Sequence, residues 1–422
     1  MALNIQFTQF TLDNGLRVIV HEDHRIPIVA VNIWYGVGSK NERPGKTGFA
    51  HLFEHMMFQG SAHIAADLHF KLIQSVGGTL NGSTFFDRTN YFETLPSHYL
   101  EMGLWLEADR MGWFLPALDQ KKLDNQLEVV KNERRQHMDN MPYGLWLEKL
   151  LGLSYAVDYP YHWPVIGYME DLETISMEEV RRFFKTYYCP NNASLVVAGD
   201  FDLETIRGLI EKYFAEIEPG EPLPAFNKPF ADYNRGEKRT LVKDHVQLPR
   251  LYMGYHIPGL GTKQAYTADL ITDILSSGKS ARLYQSLIHR QQIAQDAQAI
   301  LLPLKETSLL ILMLTPRPGI SVEKAEQALQ EEIELLISEP MAEEELQRVK
   351  NQIESRKLRE LETMSARADY LNMYNMYFNK PQLINTEIDR YKAISRDEVR
   401  QVAAEYLQSK NRAVVTFLPT KP

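Results

Sequence analysis

The chain has 422 residues, 44% hydrophobic and 24% charged, with a formal net charge of -9. That length exceeds one ordinary core and predicts two or three domains, and the acidic balance argues against a nucleic-acid surface or attraction to anionic membrane. The single cysteine, Cys189, excludes an intrachain disulfide, and no apolar run approaches the roughly 20 residues that span a bilayer. Met1 to Phe7 lacks the basic and apolar regions of a signal peptide. A cytoplasmic location is therefore expected, with a periplasmic one as the alternative if a leader has been removed.

Residues 7–34 alternate in the manner of paired strands. Asn14-Gly15 stands between two β-prone runs, a hairpin signal, and Ile28 to Trp34 reads as a third strand. A polar, glycine-bearing loop from Gly36 leads to Gly48-Phe49-Ala50-His51-Leu52-Phe53-Glu54-His55-Met56-Met57-Phe58. This stretch predicts a mostly apolar helix carrying three polar groups. His51 and His55 are four apart, so both imidazoles share a face, with Glu54 close by. Two such histidines can hold one zinc ion, and a neighbouring carboxylate can hold a water there. The order His-x-x-Glu-His inverts the commoner zinc-protease motif. Accidental placement is the plain alternative. Against it, the apolar neighbours imply burial, and buried imidazoles beside a buried carboxylate need partners.

Phe70 to Val76 is helical and stops at Gly77-Gly78. Thr79 to Phe86 and Thr89 to Leu95 read as short strands around Asp87-Arg88. An ordinary hairpin accounts for them. Gly82 inside the first strand also fits close approach by a peptide laid along a sheet edge. Phe85 and Phe86 fit an apolar pocket or the core equally well. Tyr99 to Phe114 predicts a helix, and Leu118 to Met138 contains a longer one. In the latter, Glu128 and Glu133 are five apart and point in different directions, so only one can face a given metal. Gln126 and Glu133, seven apart, share a face. On these residues alone, a solvated helix surface is the favoured reading of either glutamate. Ser176 and Glu179 form a capping-box pattern for a helix running to Tyr187, and Ala193 to Gly199 follows as a strand.

Pro219, Gly220, Pro222, Pro224, Pro229 and Gly236 give residues 217–236 a linker composition. The flanking parts, 1–216 and 237–422, look alike. Ile175-Ser176-Met177-Glu178-Glu179-Val180-Arg181 is echoed by Ile394-Ser395-Arg396-Asp397-Glu398-Val399-Arg400. At the same offset Tyr187 meets Tyr406, and Leu195-Val196-Val197 meets Val414-Val415-Thr416. The expected architecture is α+β: two homologous α/β-sandwich domains, each a mixed, mostly antiparallel sheet with helices packed on one face. In the second copy the helix Ala265 to Leu275 takes the place of the histidine helix and has no histidine.

Together these residues resemble the pitrilysin/insulinase family of zinc peptidases, in particular its short members such as mitochondrial processing peptidase and bacterial relatives. The likeness runs over nearly the whole chain. It includes His51 to His55, Asn81-Gly82-Ser83-Thr84 with Thr89-Asn90-Tyr91-Phe92, Glu128 to Arg135, Val197-Ala198-Gly199-Asp200 and Ser280-Ala281-Arg282-Leu283-Tyr284. The resemblance implies a zinc metalloendopeptidase acting on extended or unfolded peptides in a chamber formed by two chains, with one Zn2+ per chain. It implies His51, His55 and Glu133 as ligands, Glu54 as the general base, and the strand bearing Asn81 and Gly82 as the substrate edge. Gln126 stands where the family usually has a further glutamate; it could hydrogen-bond near the ligands but adds no charge. Family members that work alone carry an arginine and a tyrosine seven apart in the second half, where this chain has Ile288 and Gln295. Arg282 and Tyr284 match a different, structural part of the pattern. A second pitrilysin-like subunit supplying the missing pair, in a heterodimer, is thus expected, with a homodimer as runner-up. The alternative function is a non-catalytic scaffold of the same fold, like the core proteins of respiratory complexes.

Overall fold

The computed structural model describes residues 3–224, 226, 228–230 and 236–420. Strands β1 (Thr8–Thr11), β2 (Arg17–Glu22), β3 (Ile28–Tyr35), β4 (Thr79–Thr84), β5 (Thr89–Pro96) and β6 (Ala193–Gly199) form one sheet. Its order is β1-β2-β6-β3-β5-β4, and β2 and β6 run parallel while the other pairs are antiparallel. Thr11 pairs with Arg17, so the connection around Asn14-Gly15 takes residues 12–16 rather than two. The reason is tertiary. The buried Asn14 amide donates to the carbonyls of Phe214 at 2.7 Å and Ile217 at 3.0 Å, which fixes the loop from outside.

The alternation in these strands sorts side chains onto two buried faces. Val18, Val20, Val29, Val31 and Ile33 face a core shared with α1 (Phe49–Met56), α2 (Leu68–Ser75), α3 (Leu100–Trp113) and α4 (Gln120–Arg134). Helices Met177–Tyr187 and Leu203–Phe214 contribute to the same core. Ile19, Ala30, Val196 and Ala198 face the other way, against Met364, Ala368, Leu371 and Tyr374 of helix Met364–Phe378. Those four recur at helical spacing and form one apolar stripe.

The second sheet comprises β7 (Lys238–Asp244), β8 (Arg250–Pro258), β9 (Ala294–Leu302), β10 (Thr307–Pro316) and β11 (Arg412–Pro419), in the order β7-β11-β8-β10-β9. It repeats β2-β6-β3-β5-β4 strand for strand, including the single parallel pair, here β7 with β11. Helix Lys263–Ser276 follows β8 as α1 follows β3. Ser176 and Ser395 each close a capping box at the helix that precedes β6 or β11, the matching strands of the two sheets. Of the expected linker, residues 225, 227 and 231–235 lie outside the described residues.

The compact units do not coincide with the linear parts 1–216 and 237–422. One unit takes Met1–Arg134, Trp163–Phe226 and Leu358–Thr386; the other takes Arg135–His162, Asn227–Lys357 and Glu387–Pro422. The physical reason is that each sheet has two apolar faces. The several helices of its own half cover one face, and a helical segment from the other half of the chain covers the second. In the first unit that segment is Met364–Phe378. In the second it is α5 (Trp146–Ser154), whose Trp146 stacks on Tyr252 at 4.8 Å between ring centres and whose Leu150 packs on Gly254.

Candidate metal centre

Helix α1 turns an apolar face inward and a polar one outward. Phe49, Ala50, Leu52, Phe53 and Met56 are buried, and the Phe53 ring lies 5.2 Å from Phe183 and 5.0 Å from Tyr188 between centres. That packing fixes the rotation of the helix, and His51, Glu54 and His55 fall on the half-buried side. Its start is fixed as well. Gly48, at φ 90°, turns the chain into the helix where a Cβ would strike Leu172 and the Ile166 carbonyl. The Glu42 carboxylate accepts the amides of Gly48 at 2.9 Å and Ala50 at 2.8 Å, satisfying two N–H groups that a helix start leaves open.

Helix α4 packs against α1 and carries Glu133 in its last turn. Arg134 anchors that end by donating to the Gly167 carbonyl at 2.7 Å, and the helix passes into a π-helical turn at Arg135–Asp139. The structure brings His51, His55 and Glu133 together, one donor atom from each lying within 4.8 Å of the others. The two carboxylate oxygens divide between the imidazoles, 3.6 Å from His51 Nε2 and 3.2 Å from His55 Nε2. Glu128 is turned outward and pairs with Lys131 at 2.8 Å. Gln126 is buried on α4 two turns before Glu133.

The His51 ring is pushed down to about 4 by burial and by His55, against the opposing pull of Glu133. It is therefore neutral around pH 7, the form that ligates. Its Nδ1 is buried with no hydrogen-bond partner among the described residues. Two imidazoles and one carboxylate form the donor set of many zinc hydrolases, with one coordination position left open. The residues therefore fit a zinc ion.

Glu54 is not part of that trio. Burial pushes its carboxyl up from the usual range, opposed by the Thr84 hydroxyl, His55 and Arg88. The Thr84 hydroxyl donates to Glu54 Oε2 at 2.7 Å. Thr84 belongs to β4, one of the two edge strands of the first sheet. The pleat of β4 turns Leu80, Gly82 and Thr84 toward α1 and sends Asn81 and Ser83 to the opposite side. Gly82 lies against Glu54, and a Cβ there would sit 3.0 Å from Glu54 Cγ and 3.3 Å from the rings of Phe58 and Tyr91. Asn81 is exposed, and its Oδ1 accepts the Gly82 amide at 2.9 Å rather than reaching Glu54. Phe86 is buried and Phe85 partly so. Sequence reasoning missed Glu42 as the cap of α1 and Thr84 as the partner of Glu54. The alternation along β4 is the signal that could have found Thr84, since it shares a face with Gly82.

In the second half Ile288 lies in the π-helical turn Tyr284–Arg290, and Gln295 is exposed on β9, the edge strand of its sheet. Arg282 forks onto Glu345 at 2.8 and 2.7 Å, which is a structural bond.

Residues 17–155 match the family model for insulinase, peptidase family M16, and residues 174–353 match that for the peptidase M16 inactive domain. The chain belongs to peptidase family M16. The M16 chain is 28% identical over 417 residues to the zinc protease PqqE of Helicobacter pylori, covering 97% of this chain and 92% of that protein. It is 23% identical over 400 residues to the uncharacterized zinc protease YmxG of Bacillus subtilis, covering 94% and 95% of the two chains. A protease of Helicobacter pylori of known crystal structure matches with a TM-score of 0.93 at 27% identity, over 98% of this chain and 100% of that one. The M16 inactive domain from Pseudomonas fluorescens shares the fold, with a TM-score of 0.87 at 16% identity over 99% and 98% of the chains. His51, Glu54, His55 and Glu133 all lie in the part of this M16 chain matched by the insulinase model, and helix Lys263–Ser276 lies in the inactive-domain match. Among the described residues no helix is long and apolar enough to cross a membrane.

Proposed function

We propose that this M16 chain is a zinc-dependent endopeptidase that hydrolyses extended peptides. The observation that carries this reading is the convergence of His51, His55 and Glu133 beside a separate, half-buried carboxyl, Glu54. Zinc, one ion per chain, would supply Lewis-acid polarisation of the scissile carbonyl and a lowered pKa for the attacking water. His51, His55 and Glu133 would hold the ion. Glu54 takes the proton from the water at its free oxygen while Thr84 holds the other, then passes it to the leaving amine nitrogen. The exposed edge of β4 offers backbone hydrogen bonds to an extended peptide, as strand addition requires. Gly82 keeps that edge close to Glu54, and Asn81 faces outward along the same strand.

The substrate chamber is completed by a second pitrilysin-like subunit that brings an arginine and a tyrosine, because Ile288 and Gln295 occupy those positions here. A scaffold role is the second reading, favoured by the inactive-domain match over residues 174–353. The retained His51, Glu54, His55 and Glu133 weigh against it.

The test is zinc content by elemental analysis together with cleavage of an unstructured fluorogenic peptide. The wild-type chain should hold one zinc and cleave, and Glu54→Gln should hold zinc and not cleave. Undiminished cleavage by Glu54→Gln would remove the base assignment. Full activity of the purified chain without any second protein would remove the heterodimer.

A further inference from the structure

A second set of metal-type donors lies deeper in the first unit. His69 on α2, Glu93 on β5 and Glu107 on α3 each place one donor atom within 4.8 Å of the others, and all three side chains are buried. His69 Nε2 is 3.8 Å from Glu93 Oε2 and 3.9 Å from Glu107 Oε1. Arg110, one turn beyond Glu107, is also buried, and its guanidinium contacts Glu107 Oε1. Tyr35 on β3 is buried as well, and Glu107 and Arg110 both act on its hydroxyl. Six buried polar atoms of this cluster have no hydrogen-bond partner among the described residues: His69 Nε2, both Glu93 oxygens, Glu107 Oε2, and Arg110 Nε and Nη1.

Charge balance decides what such a site holds. Two carboxylates and one guanidinium leave one negative charge where water does not reach, which is unfavourable. Burial and the Arg110 guanidinium both disfavour a charged His69 and hold the imidazole well below its usual range. A divalent ion would overshoot to a net positive charge, and Arg110 already occupies the Glu107 oxygen that faces His69. One proton brings the group to neutrality. Two ionised carboxylates cannot hydrogen-bond each other, which leaves both Glu93 oxygens without a donor. Once one acid is protonated, it donates to the other.

We propose that Glu93 and Glu107 share one resident proton, carried on Glu93 and accepted by Glu107, and that with Arg110 they form a neutral floor positioning the Glu54 region. Burial and the adjoining Glu107 both push Glu93 well up, in keeping with that placement. The route to Glu54 is short. The Arg110 guanidinium lies 4.1 Å from the Tyr91 ring centre and 4.9 Å from that of Phe58. Those two rings flank Gly82 beside Glu54, and the Tyr91 hydroxyl donates to the Phe53 carbonyl at 3.2 Å. Arg110 therefore acts as a positioning residue through Tyr91 and Phe58.

Infrared spectroscopy of the purified full chain tests the proton without reference to peptidase activity. The spectrum should hold a carboxylic-acid carbonyl band that Glu93→Gln removes. That variant should keep the wild-type melting temperature, because its amide donates to Glu107 in place of the proton. Glu93→Gln combined with Glu107→Gln should melt far lower, since Arg110 is then left without an anion. An unchanged acid region in Glu93→Gln would overturn the proposal. So would a second metal ion per chain by elemental analysis, lost in His69→Gln. The positioning role rests on the peptidase reading. Arg110→Gln should lower kcat with KM and zinc content unchanged, and zinc lost in step with kcat would overturn it.

Discussion

The first unit contains two groups built from histidine and glutamate, and they are opposites. His51, His55 and Glu133 stand on a half-open face, with side chains 12%, 23% and 31% exposed. His69, Glu93 and Glu107 are sealed, with no side chain above 5%. The open group has a carboxyl, Glu54, standing apart from it. The closed group has Arg110 built in. Donor identity alone therefore does not make a reactive centre. A way in is needed as well, and of these two groups the first has it.

The largest effect that would break this contrast is on the open side. His55→Ala should lose both bound zinc and detectable peptide cleavage, measured by elemental analysis and a fluorogenic assay. Glu54→Gln should keep the ion while kcat falls about a thousand-fold, within the range general-base catalysis supplies. On the closed side the expected damage is to stability. Arg110→Met should destabilise by about 3–5 kcal/mol in denaturant titration, because it strands Glu107 in the interior. Zinc-free His55→Ala, by contrast, should unfold within about 0.5 kcal/mol of zinc-free wild type, since the site is partly exposed. The smallest effect sits between the two groups. Gly82→Ala pushes a methyl against Glu54, Phe58 and Tyr91 and should lower kcat about tenfold with the ion retained. Full activity in Gly82→Ala would show that the approach of β4 to α1 is not limiting.

The open group was partly legible in the sequence because His51, Glu54 and His55 occupy one helix, where spacing reports facing. Glu133 was not legible from spacing, as Glu128 competed with it until the likeness to a family separated them. Packing of α4 on α1 makes the choice physically, turning Glu128 to Lys131 and Glu133 to the imidazoles. The closed group had no local signature at all, since its members come from α2, β5 and α3. Duplication was legible from the echo of Ser176 in Ser395. The exchange of helices was not: the stripe Met364, Ala368, Leu371 and Tyr374 announces a buried face without naming the sheet that buries it.

That exchange has a consequence for synthesis. The N-terminal sheet cannot cover its second face until residues near 386 have left the ribosome, long after the histidines have been made. Until then Ile19, Ala30, Val196 and Ala198 remain open to solvent and to chaperones. For the same reason, a protease nick between the two linear halves would yield fragments that each lack a layer, and neither should be soluble unless the two are expressed together.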